Sequence, residues 1–504
     1  MAKNEVKWGA ILSYILIILN TLYGFFITPY ILGRLGNAEY GVYKTISSFT
    51  ASLMVLDLGL GGTLLRYISK FRADKEEDKI PNYVAMCFLQ SAIIILIIAG
   101  VCLGLYFFID TMFSSGLTAS EIVKAKELFI YLSAGICAHV FENVLNGIIT
   151  GYNNFTFANG LKVIRLLFRI LFIVLLLQFF TNSVTLVIID LALTVLIIFV
   201  ELIYIAFKLK IKVKLKKWDN VLFKSSFVFT VLLFITSIAA QINGNLDNVI
   251  VGALVNSNAV TVYSMGLLIF AMFEQLSTSV SSVMLPTVTL AIKNDDDALT
   301  NTQKLVVKIG RIQFMLLGMA LAGFIVVGKQ FVSLWLGAGF EDVYLIVLIL
   351  MAPSLLELSV NVCLSILRAQ NNLGFRTLIL LATTVLNAVI TLVGTYYFNY
   401  FAAAIGTAAS FLIGSVIIMN IYYFKKYKFN MIKIYRRIFS GIWICLILSA
   451  VASYLATLIF TSVLLKFVLG VIAFIIVYAI TMILFGFNKE EKAHLPIINR
   501  KIKE

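Results

Sequence analysis

The sequence predicts an all-α, polytopic membrane protein. Of its 504 residues, 61% are hydrophobic and only 13% are charged, and the mean hydropathy is +1.00. By comparison, about 25% of the residues of a soluble domain are charged. The apolar runs are continuous over about 20 residues, the length of a membrane helix, whereas a transmembrane β-barrel shows alternating segments of about ten residues. Composition and run length therefore both indicate a helical bundle in a bilayer.

The apolar runs predict about fourteen membrane spans. Their expected bounds are 9–33, 41–66, 82–109, 127–150, 158–180, 184–207, 222–245, 257–290, 303–328, 342–367, 375–398, 401–424, 437–460 and 463–486. The connections after the second, sixth and twelfth spans are rich in Lys and Arg, whereas connections such as 181–183 and 255–258 carry neither. Because basic connections stay on the cytoplasmic side, this alternation predicts that both termini are cytoplasmic.

An internal repeat relates the two halves of the chain. At an offset of about 219 residues, ILGRLGN from Ile31 matches IVGALVN from Ile250, and GYNNF from Gly151 corresponds to AQNNL from Ala369. Each copy contains six predicted helices, and an even number preserves the orientation in the membrane. We therefore expect two six-helix bundles related by a pseudo-two-fold axis along the membrane normal.

The repeat predicts three parts of the chain. They are an N-terminal six-helix bundle at 1–215, a C-terminal six-helix bundle at 216–430, and two further helices with a basic cytoplasmic tail at 431–504. Two bundles related in this way enclose a central cleft that can open to either side of the membrane. That arrangement is typical of an alternating-access carrier.

The fifth span carries three cations on one helical face. Lys162, Arg165 and Arg169 are three and then four residues apart, and this spacing aligns them along a helix. A charge near the bilayer centre costs about 2.5–3.5 kcal/mol on insertion scales unless it faces protein or water. Lys162 and Arg165 are close enough to the expected cytoplasmic end to extend towards it, but Arg169 lies roughly 15 Å from that end. The stripe therefore predicts an anionic group inside the protein.

Two interpretations of the three cations stay open. In one, the three cations bind an anionic substrate, together with Arg66. In the other they only form internal ion pairs. Folding the fourth and fifth spans about Asn154 places Glu142 at the depth of Arg165 and Arg169, and folding the next pair about residue 182 places Glu201 near Lys162 and Arg165.

Further polar residues lie inside predicted spans. Asp57 precedes the glycine-rich LGLGG of the second span, where small residues are expected to let helices approach closely rather than to bind phosphate. The second half supplies Asn361 and Arg368 as candidate substrate contacts. The candidate carboxylates for ion coupling or ion pairing are Asp57, Glu142, Glu201, Asp247, Glu274 and Glu357. The second-half positions that match the stripe are Leu380, Thr383 and Asn387, so the stripe is confined to the first half.

Covalent chemistry is not indicated. The five cysteines are scattered in apolar runs, and His139 and His494 belong to no metal or catalytic motif. We therefore expect a protein that is not an enzyme and has no cofactor or bound metal. The net charge of +15 lies mostly in short connections beside apolar helices, which favours membrane lipids over nucleic acid as neighbours.

Three motifs of the sequence resemble those of a known protein family. ITPYILGRLGNAEYGVYK at Ile27, DLGLGGTLLRYISK at Asp57 and NLDNVIVGALVNSNAVTVYSMG at Asn245 resemble the polysaccharide-transport, or Wzx-type flippase, branch of the multidrug/oligosaccharidyl-lipid/polysaccharide exporter superfamily. The resemblance implies a carrier in a bacterial-type cytoplasmic membrane that moves undecaprenyl-diphosphate-linked oligosaccharide to the outer leaflet for surface polysaccharide. It also implies coupling to a proton or sodium gradient, and polysaccharide assembly proteins as partners.

Several other functions are weighed against this one. A flippase for peptidoglycan or teichoic-acid precursors is the closest alternative, because its cargo has a similar headgroup. A multidrug exporter of the same superfamily is expected to line its site with carboxylates rather than arginines. A scaffold that transports nothing is disfavoured by the cost of embedding so many charges. No P-loop motif indicates an ATP-driven pump.

Overall fold

The computed structural model describes residues 2–57, 59–211, 213–215, 220, 224, 244–293, 298–370, 372–488, 491 and 492. Helices make up 89% of the structure, and these residues contain no β-strand. The predicted all-α class is therefore confirmed. Most of the predicted seventh span, 222–245, and the end of the tail, including His494, lie outside the described residues.

The described residues of the first part of the chain include nine helices. They are α1 (Ala2–Leu22), α2 (Thr28–Leu35), α3 (Asn37–Leu53), α4 (Leu60–Ala73), α5 (Ile80–Phe113), α6 (Ala119–Gly151), α7 (Phe155–Leu176), α8 (Ser183–Ile203) and α9 (244–254). Short π-helical segments follow α1 at Tyr23–Ile27 and α8 at Tyr204–Leu209. Such segments make i to i+5 hydrogen bonds and widen a helix locally.

In the rest of the chain, the residues that the structure describes include ten more helices. They are α10 (Ser257–Lys293), α11 (Ala298–Leu336), α12 (Glu341–Ser359), α13 (Val362–Ala369), α14 (Gly374–Phe398), α15 (Phe401–Ser410), α16 (Met419–Tyr427), α17 (Met431–Phe439), α18 (Ile442–Leu458) and α19 (Val463–Thr481). Two further π segments lie at Phe411–Ile418 and Met482–Gly486.

Contacts divide the chain into two compact units, Met1–Thr261 and Val262–Glu504. Each unit has its own buried apolar core. The first is built around residues such as Leu64 and Ile148, and the second around residues such as Val306 and Ile438. The repeat boundaries at 215 and 430 stay predictions.

Ten helices of the described residues are long and apolar enough to cross a membrane. The number rises to eleven if α17 and α18, which meet at a 44° bend, form one span. The predicted count of fourteen is therefore not confirmed. The ten do not include the fifth span, which carries the three cations, or the second span, which is broken in the middle.

The break in the second span lies at Asp57. The chain tightens into a 3-10 turn at Met54–Asp57, and Gly59 then takes a left-handed conformation with φ of +68° before α4 begins. Glycine reaches this conformation without the steric cost that a side chain would impose. The tenth predicted span is broken similarly, between α12 and α13, at Asn361. Both breaks thus coincide with polar residues that the sequence singles out.

Lipid-facing surfaces are strongly apolar. On α5, Leu96 is 72% exposed and Phe107 is 68% exposed. Side chains of this kind are normally inside a soluble protein, and their exposure along a helix of 34 residues fits a surface in contact with acyl chains. The protein is a multi-pass membrane protein.

Candidate functional site

Arg165 on α7 is held by two neighbouring helices. Its Nη1 lies 3.2 Å from Oε1 and 3.1 Å from Oε2 of Glu142 on α6, and its Nη2 donates to Thr194 Oγ1 on α8 at 2.6 Å. Glu142 is only 7% exposed. Because the guanidinium is satisfied on both sides, Arg165 is fixed in place rather than extended towards a membrane surface.

Arg169 on α7 pairs with Asp190 on α8. Its Nη2 donates to Asp190 Oδ2 at 2.7 Å, and its Nε lies 2.7 Å from Oδ1. The guanidinium carbon stands 4.9 Å from the ring centroid of Tyr23, a cation–π distance, and the Tyr43 hydroxyl also interacts with Arg169. Tyr23 begins the first π segment. A carboxylate, an aromatic face and a hydroxyl therefore surround this cation.

The bounds of α7 place Arg169 past the middle of the helix, nearer to its C-terminal end. The helix begins at Phe155, fourteen residues before Arg169, and ends at Leu176, seven residues after it. At 1.5 Å per residue, Arg169 lies about 21 Å from the N-terminal end and about 10 Å from the C-terminal end. The distance to the N-terminal end of the helix exceeds the roughly 15 Å expected from the sequence because α7 begins at Phe155, before residue 159.

Lys162, the third cation of the stripe, forms no direct ion pair with Glu201. Lys162 is exposed, and in the described part of the chain no carboxylate lies within ion-pair distance of it. Glu201 is 1% exposed and hydrogen-bonds with Asn146, and its Oε2 has no partner. Lys162 and Arg165 are both within electrostatic range of Glu201.

A further cation, Lys44 on α3, lies near the stripe. Its Nζ stands 5.7 Å from the ring centroid of Tyr40, and it is within electrostatic range of Arg169. Lys44 is half-buried, and none of the described carboxylates lies within ion-pair distance of it. Unlike Arg165 and Arg169, Lys44 therefore has no anionic side chain as a direct partner.

These helices enclose a cavity of about 410 Å³. Its polar lining combines side chains from four helices: Tyr43 and Ser47, Tyr131 and His139, Arg165 and Arg169, and Asp190 and Thr194. The remaining lining residues are mostly apolar, such as Met54 and Val187. A cavity of about 300–1,000 Å³ with a few convergent polar groups is typical of a ligand site.

Asp57 borders this region behind His139. Its Oδ2 accepts a hydrogen bond from Asn143 Nδ2 at 2.5 Å, and His139 lies within electrostatic range. Arg66, also named from the sequence, is exposed on α4 and takes part in other interactions. Neither Asp57 nor Arg66 is among the residues that line the cavity, although Asp57 is within electrostatic range of the lining residue His139.

The close approach of α4 and α6 fixes this arrangement. A Cβ atom added at Gly61 would lie 2.6 Å from the Asn143 carbonyl oxygen, and one added at Gly147 would lie 2.5 Å from the Gly61 carbonyl oxygen. Real Cβ contacts are not this short, so the two backbones touch because both residues lack a side chain. The glycine-rich LGLGG thus serves helix packing.

The other sequence candidates are not among the residues that line the cavity. Asp247 is 4% exposed on α9 and has interaction partners of its own. In the second unit, Glu357 on α12 lies 3.7 Å from Arg376, and Glu274 on α10 is within electrostatic range of Glu357. These residues form a second polar group, in which Arg376 was not singled out from the sequence.

Asn361 and Arg368 flank α13 of the second unit. The Asn361 amide nitrogen lies 3.4 Å from Ser277 Oγ, and Arg368 is exposed in the last turn of the helix. No group of three or more His, Cys, Asp or Glu residues in the described ranges is arranged to hold a metal ion.

Asn387, one of the positions that the predicted repeat matches to the stripe, lies in an uncharged network. Asn387 on α14 is fully buried and donates to Thr407 Oγ1 at 3.3 Å, and Thr391 Oγ1 lies 3.2 Å from its amide oxygen. A Cβ added at Gly406 would lie 2.4 Å from Asn387 Oδ1, so α14 and α15 pack tightly at this level. The groups in contact with Asn387 in this network are therefore hydroxyls rather than charged side chains.

Two charged residues near the cavity, Asp190 and Lys44, were not predicted from the sequence. Asp190 was overlooked because the turn between the fifth and sixth spans was centred at residue 182. Since α7 ends at Leu176 and α8 begins at Ser183, the turn centres near 179–180, and Asp190 then comes level with Arg169. Lys44 lay at the expected end of a span, but α3 begins at Asn37, so Lys44 is two turns inside the helix.

Comparison with known proteins agrees with this architecture. A family model described as "Polysaccharide biosynthesis protein" matches residues 6–292. No curated protein matches the sequence. The lipid II flippase MurJ in an inward closed conformation has a similar fold, with a TM-score of 0.68 at 17% identity, covering 94% of this chain and 98% of that chain.

Two solved structures of a multidrug resistance MATE family transporter of the MOP superfamily are also similar. The inward-facing one has a TM-score of 0.58 at 15% identity and covers 79% of this chain and 94% of that chain. The outward-facing one has a TM-score of 0.54 at 15% identity and covers 86% of this chain and 96% of that chain. At these identities the likeness concerns the fold. Since the family match covers more than half of the residues, the chain belongs to the polysaccharide biosynthesis protein family.

Proposed function

We propose that this protein is a flippase for polyprenyl-diphosphate-linked oligosaccharide, which it moves from the inner to the outer leaflet of the cytoplasmic membrane by alternating access. The observation that carries the proposal is the excess of positive charge at a membrane-embedded cavity. Arg165 and Arg169 line the cavity, and Lys44 lies within electrostatic range of Arg169. Glu142 contacts Arg165 and Asp190 contacts Arg169, whereas no described carboxylate lies within ion-pair distance of Lys44. An anionic headgroup would supply the missing counter-charge.

The ion pairs of Arg165 and Arg169 are better explained as a device that orients the two arginines for an anionic ligand than as neutralisation of their charge alone. A guanidinium presents five N–H donors, and each arginine here is oriented by a carboxylate on a neighbouring helix. Cations held in this way can contact a phosphate without first losing the conformational entropy of a free side chain. Tyr43, Ser47 and Thr194 add hydroxyl groups that suit a sugar or a phosphate oxygen.

The volume of the cavity limits which part of the lipid-linked oligosaccharide can bind in it. At about 410 Å³ it has room for a diphosphate and an adjoining sugar, but not for a whole oligosaccharide with its lipid. We therefore assign the cavity to the headgroup region where lipid and glycan join. The polyprenyl tail stays in the bilayer, because its transfer into an aqueous cleft would expose apolar surface to water.

Membrane potential would drive the outward step. With both termini cytoplasmic, moving about two negative charges outward across an inside-negative membrane gains about 2.3 kcal/mol per charge per 100 mV. Inward movement of a proton or sodium ion would help to reset the carrier. Asp57, Asp247, Glu274 and Glu357 are the candidate carboxylates for that ion.

The rival substrates differ in headgroup. Peptidoglycan and teichoic-acid precursors that share the diphosphate would meet the same cations, so only the sugars distinguish them from the proposed cargo. A cationic drug would be repelled by the charge excess at the first-unit cavity, which disfavours multidrug export through this site.

Transport by the purified protein in proteoliposomes tests the proposal. We expect translocation of a polyprenyl-diphosphate-linked oligosaccharide, measured as glycan that becomes accessible to an added glycosidase, and acceleration by an inside-negative potential. The variant Arg169→Ala should lose most of this activity, whereas Arg436→Ala, at an exposed position on α17, should keep it. Equal transport by wild type and Arg169→Ala, or transport of neutral glycolipids alone, would contradict the proposal.

A further inference from the structure

Another cavity lies in the second unit, where α11 and α12 meet. Its volume is about 270 Å³, and it is lined by the last two turns of α11, the connection that follows and the first turn of α12. We call it the α11–α12 cavity. Its polar side chains are Lys329, Ser333, Glu341, Asp342 and Tyr344. Because sites for drug-sized ligands are typically larger, at about 300–1,000 Å³, this cavity suits one small polar group.

Two glycines shape the connection between these helices. Gly337 and Gly339 have φ of +85° and +90°, a left-handed conformation that glycine adopts without steric cost. Gly337 lines the cavity, and nothing lies within 4 Å of a Cβ added to it. The Gly339 amide donates to Glu341 Oε1 at 3.2 Å. The turn therefore fixes a carboxylate of α12 opposite the last turns of α11.

The cation of this cavity does not pair with its carboxylates. Lys329 and Ser333 are four residues apart on α11, so they lie on one face, one turn apart. In the part of the chain that the structure describes, no carboxylate lies within ion-pair distance of Lys329, whose Nζ stands 5.4 Å from the ring centroid of Tyr344. A salt bridge at such an exposed position would stabilise the fold little. Little stability is therefore lost when a ligand comes between the two signs of charge.

The two carboxylates are held in place but can still accept hydrogen bonds. Asp342 Oδ2 accepts from the Tyr400 hydroxyl, and Glu341 Oε1 accepts from the Gly339 amide. An ionised carboxylate has two oxygens with about four lone-pair sites, so each retains acceptor capacity beyond its one partner. Both carboxylates can therefore bind a cation that carries N–H groups.

Aromatic side chains indicate that the cavity lies at the level of the lipid headgroups. Tyr396 and Tyr397, in the last turn of α14, are 82% and 80% exposed, and Trp335 lies in the last turn of α11. Tyrosine and tryptophan are enriched where the membrane meets water. The hydrogen bond from Tyr400 to Asp342 joins the end of α14 to the cavity.

We propose that the α11–α12 cavity binds the headgroup of a zwitterionic phospholipid with a primary ammonium, such as phosphatidylethanolamine. The phosphate contacts Lys329 and Ser333, and the ammonium donates to Glu341 and Asp342. Leu345, which also lines the cavity, is 48% exposed and suits contact with an acyl chain. The connections at this end of the second unit contain no Lys or Arg, so we expect the lipid to lie in the outer leaflet; they are 337–340, 399–400 and 459–462.

The charges of the cavity disfavour two other kinds of lipid. Two carboxylates and one ammonium give a net charge of −1, which disfavours a purely anionic headgroup. Phosphatidylcholine is also zwitterionic, but its trimethylammonium group has no N–H to donate. A site built for hydrogen bonds rejects an analogue that lacks the donors, because its own polar groups are then left unpaired.

Binding of short-chain lipids to the purified full chain in detergent micelles tests the proposal. We expect dihexanoyl-phosphatidylethanolamine to bind about tenfold more tightly than dihexanoyl-phosphatidylcholine, measured by equilibrium binding of the labelled lipids. Glycerophosphoethanolamine has the same headgroup without acyl chains. It should bind more weakly than the lipid, because it makes no apolar contact with Leu345.

Substitutions separate the two ends of the headgroup. Glu341→Gln combined with Asp342→Asn keeps the shape of both side chains but removes their charge, so the two lipids should bind this variant with equal affinity. Lys329→Gln removes the phosphate partner, so both lipids should bind more weakly while the preference between them remains. Glu127→Gln removes an exposed carboxylate of α6 that does not line this cavity, and it is the matched control.

Three results would overturn the proposal. They are equal affinities of wild type for the two lipids, a preference for phosphatidylethanolamine that persists without the two carboxylates, and binding of glycerophosphoethanolamine as tight as that of the lipid. If the variant with both substitutions does not fold, Glu341→Gln alone, at an exposed position, replaces it and should reduce the preference. The site shares no residue with the first-unit cavity, so its failure would leave the proposed function standing.

Discussion

Arg169 and Asp190 form an ion pair between α7 and α8, with Nη2 and Nε of the arginine each 2.7 Å from a carboxylate oxygen. The cation that is hardest to explain from the sequence is therefore already matched by a carboxylate. The attraction of the cavity for an anion therefore depends on the sum of all the charges around it and not on Arg169 alone. Lys44, which has no carboxylate within ion-pair distance among the described residues, creates the excess.

The contributions of Arg169 and Asp190 to the free energy of unfolding should be coupled. Arg169→Ala or Asp190→Ala alone leaves the other charge unpaired, and we expect each to lower the unfolding free energy by about 1–3 kcal/mol. The figure lies below the range for fully buried pairs because the side chains are 27% and 33% exposed. The double variant should lose less than the sum of the two. Unfolding in mixed detergent micelles measures this, and strictly additive losses would show that the pair does not interact.

Lys44 should matter for binding but not for stability. A half-buried cation with no carboxylate in contact is costly in a membrane, so Lys44→Met should raise the apparent unfolding temperature or leave it unchanged. The same variant should weaken binding of a diphosphate-linked probe by about tenfold, because it removes the charge excess. Thermal unfolding and equilibrium binding of one preparation check both effects. Unchanged affinity in Lys44→Met would remove Lys44 from the site.

Much of the fold could be predicted from the sequence. Continuous apolar runs identify helices because each membrane helix must satisfy its backbone hydrogen bonds internally. Ten of the expected spans coincide with helices that can cross a membrane. The break at Asp57 could not be placed in advance, because it depends on the left-handed Gly59 and on the contact of Gly61 with α6.

The site was less predictable than the fold. Glu142 was expected at the depth of Arg165, and the structure places the two in contact. Asp190 was missed because an error of two or three residues in the centre of a turn moves the expected partner by about five residues, which is more than one helical turn. Contacts between side chains on neighbouring helices depend on such offsets, whereas the existence of the helices does not.

The contact of α4 with α6 should tolerate no added side chain. Gly147→Ala places a Cβ about 2.5 Å from the Gly61 carbonyl oxygen, and we expect a loss of about 1–3 kcal/mol from overpacking. Gly104→Ala on α5 is the matched control, because nothing lies within 4 Å of its added Cβ. That control should be neutral or slightly stabilising, since alanine favours helix over glycine. Equal unfolding temperatures for the two variants would contradict the packing account.

Arg311 should be essential for the last three helices. Its Nη1 donates to the carbonyls of Arg437 and Ser440, its Nη2 to that of Gly486, and its guanidinium also pairs with Glu491 at 2.7 Å and 3.0 Å. Lysine keeps the charge but not the planar fork of donors. We expect Arg311→Lys to cost about 3 kcal/mol, because buried acceptors lose their partners.

Limited proteolysis together with thermal unfolding measures that effect. Cleavage in the connection between α17 and α18 should become faster in Arg311→Lys, while Arg436→Lys, at an exposed position on α17, should leave the rate unchanged. A proteolysis pattern in Arg311→Lys that matches wild type would show that other contacts hold these helices.

The most direct test of the central claim compares two ligands that differ only in the diphosphate. The wild-type affinity for a prenyl-diphospho-oligosaccharide is measured against that for an analogue with a neutral linker of the same length. The charge excess around Lys44, Arg165 and Arg169 predicts that the diphosphate binds about tenfold to a hundredfold more tightly, with the preference reduced in Lys44→Met. Equal affinities for the two ligands would contradict the claim that this cavity recognises an anionic headgroup.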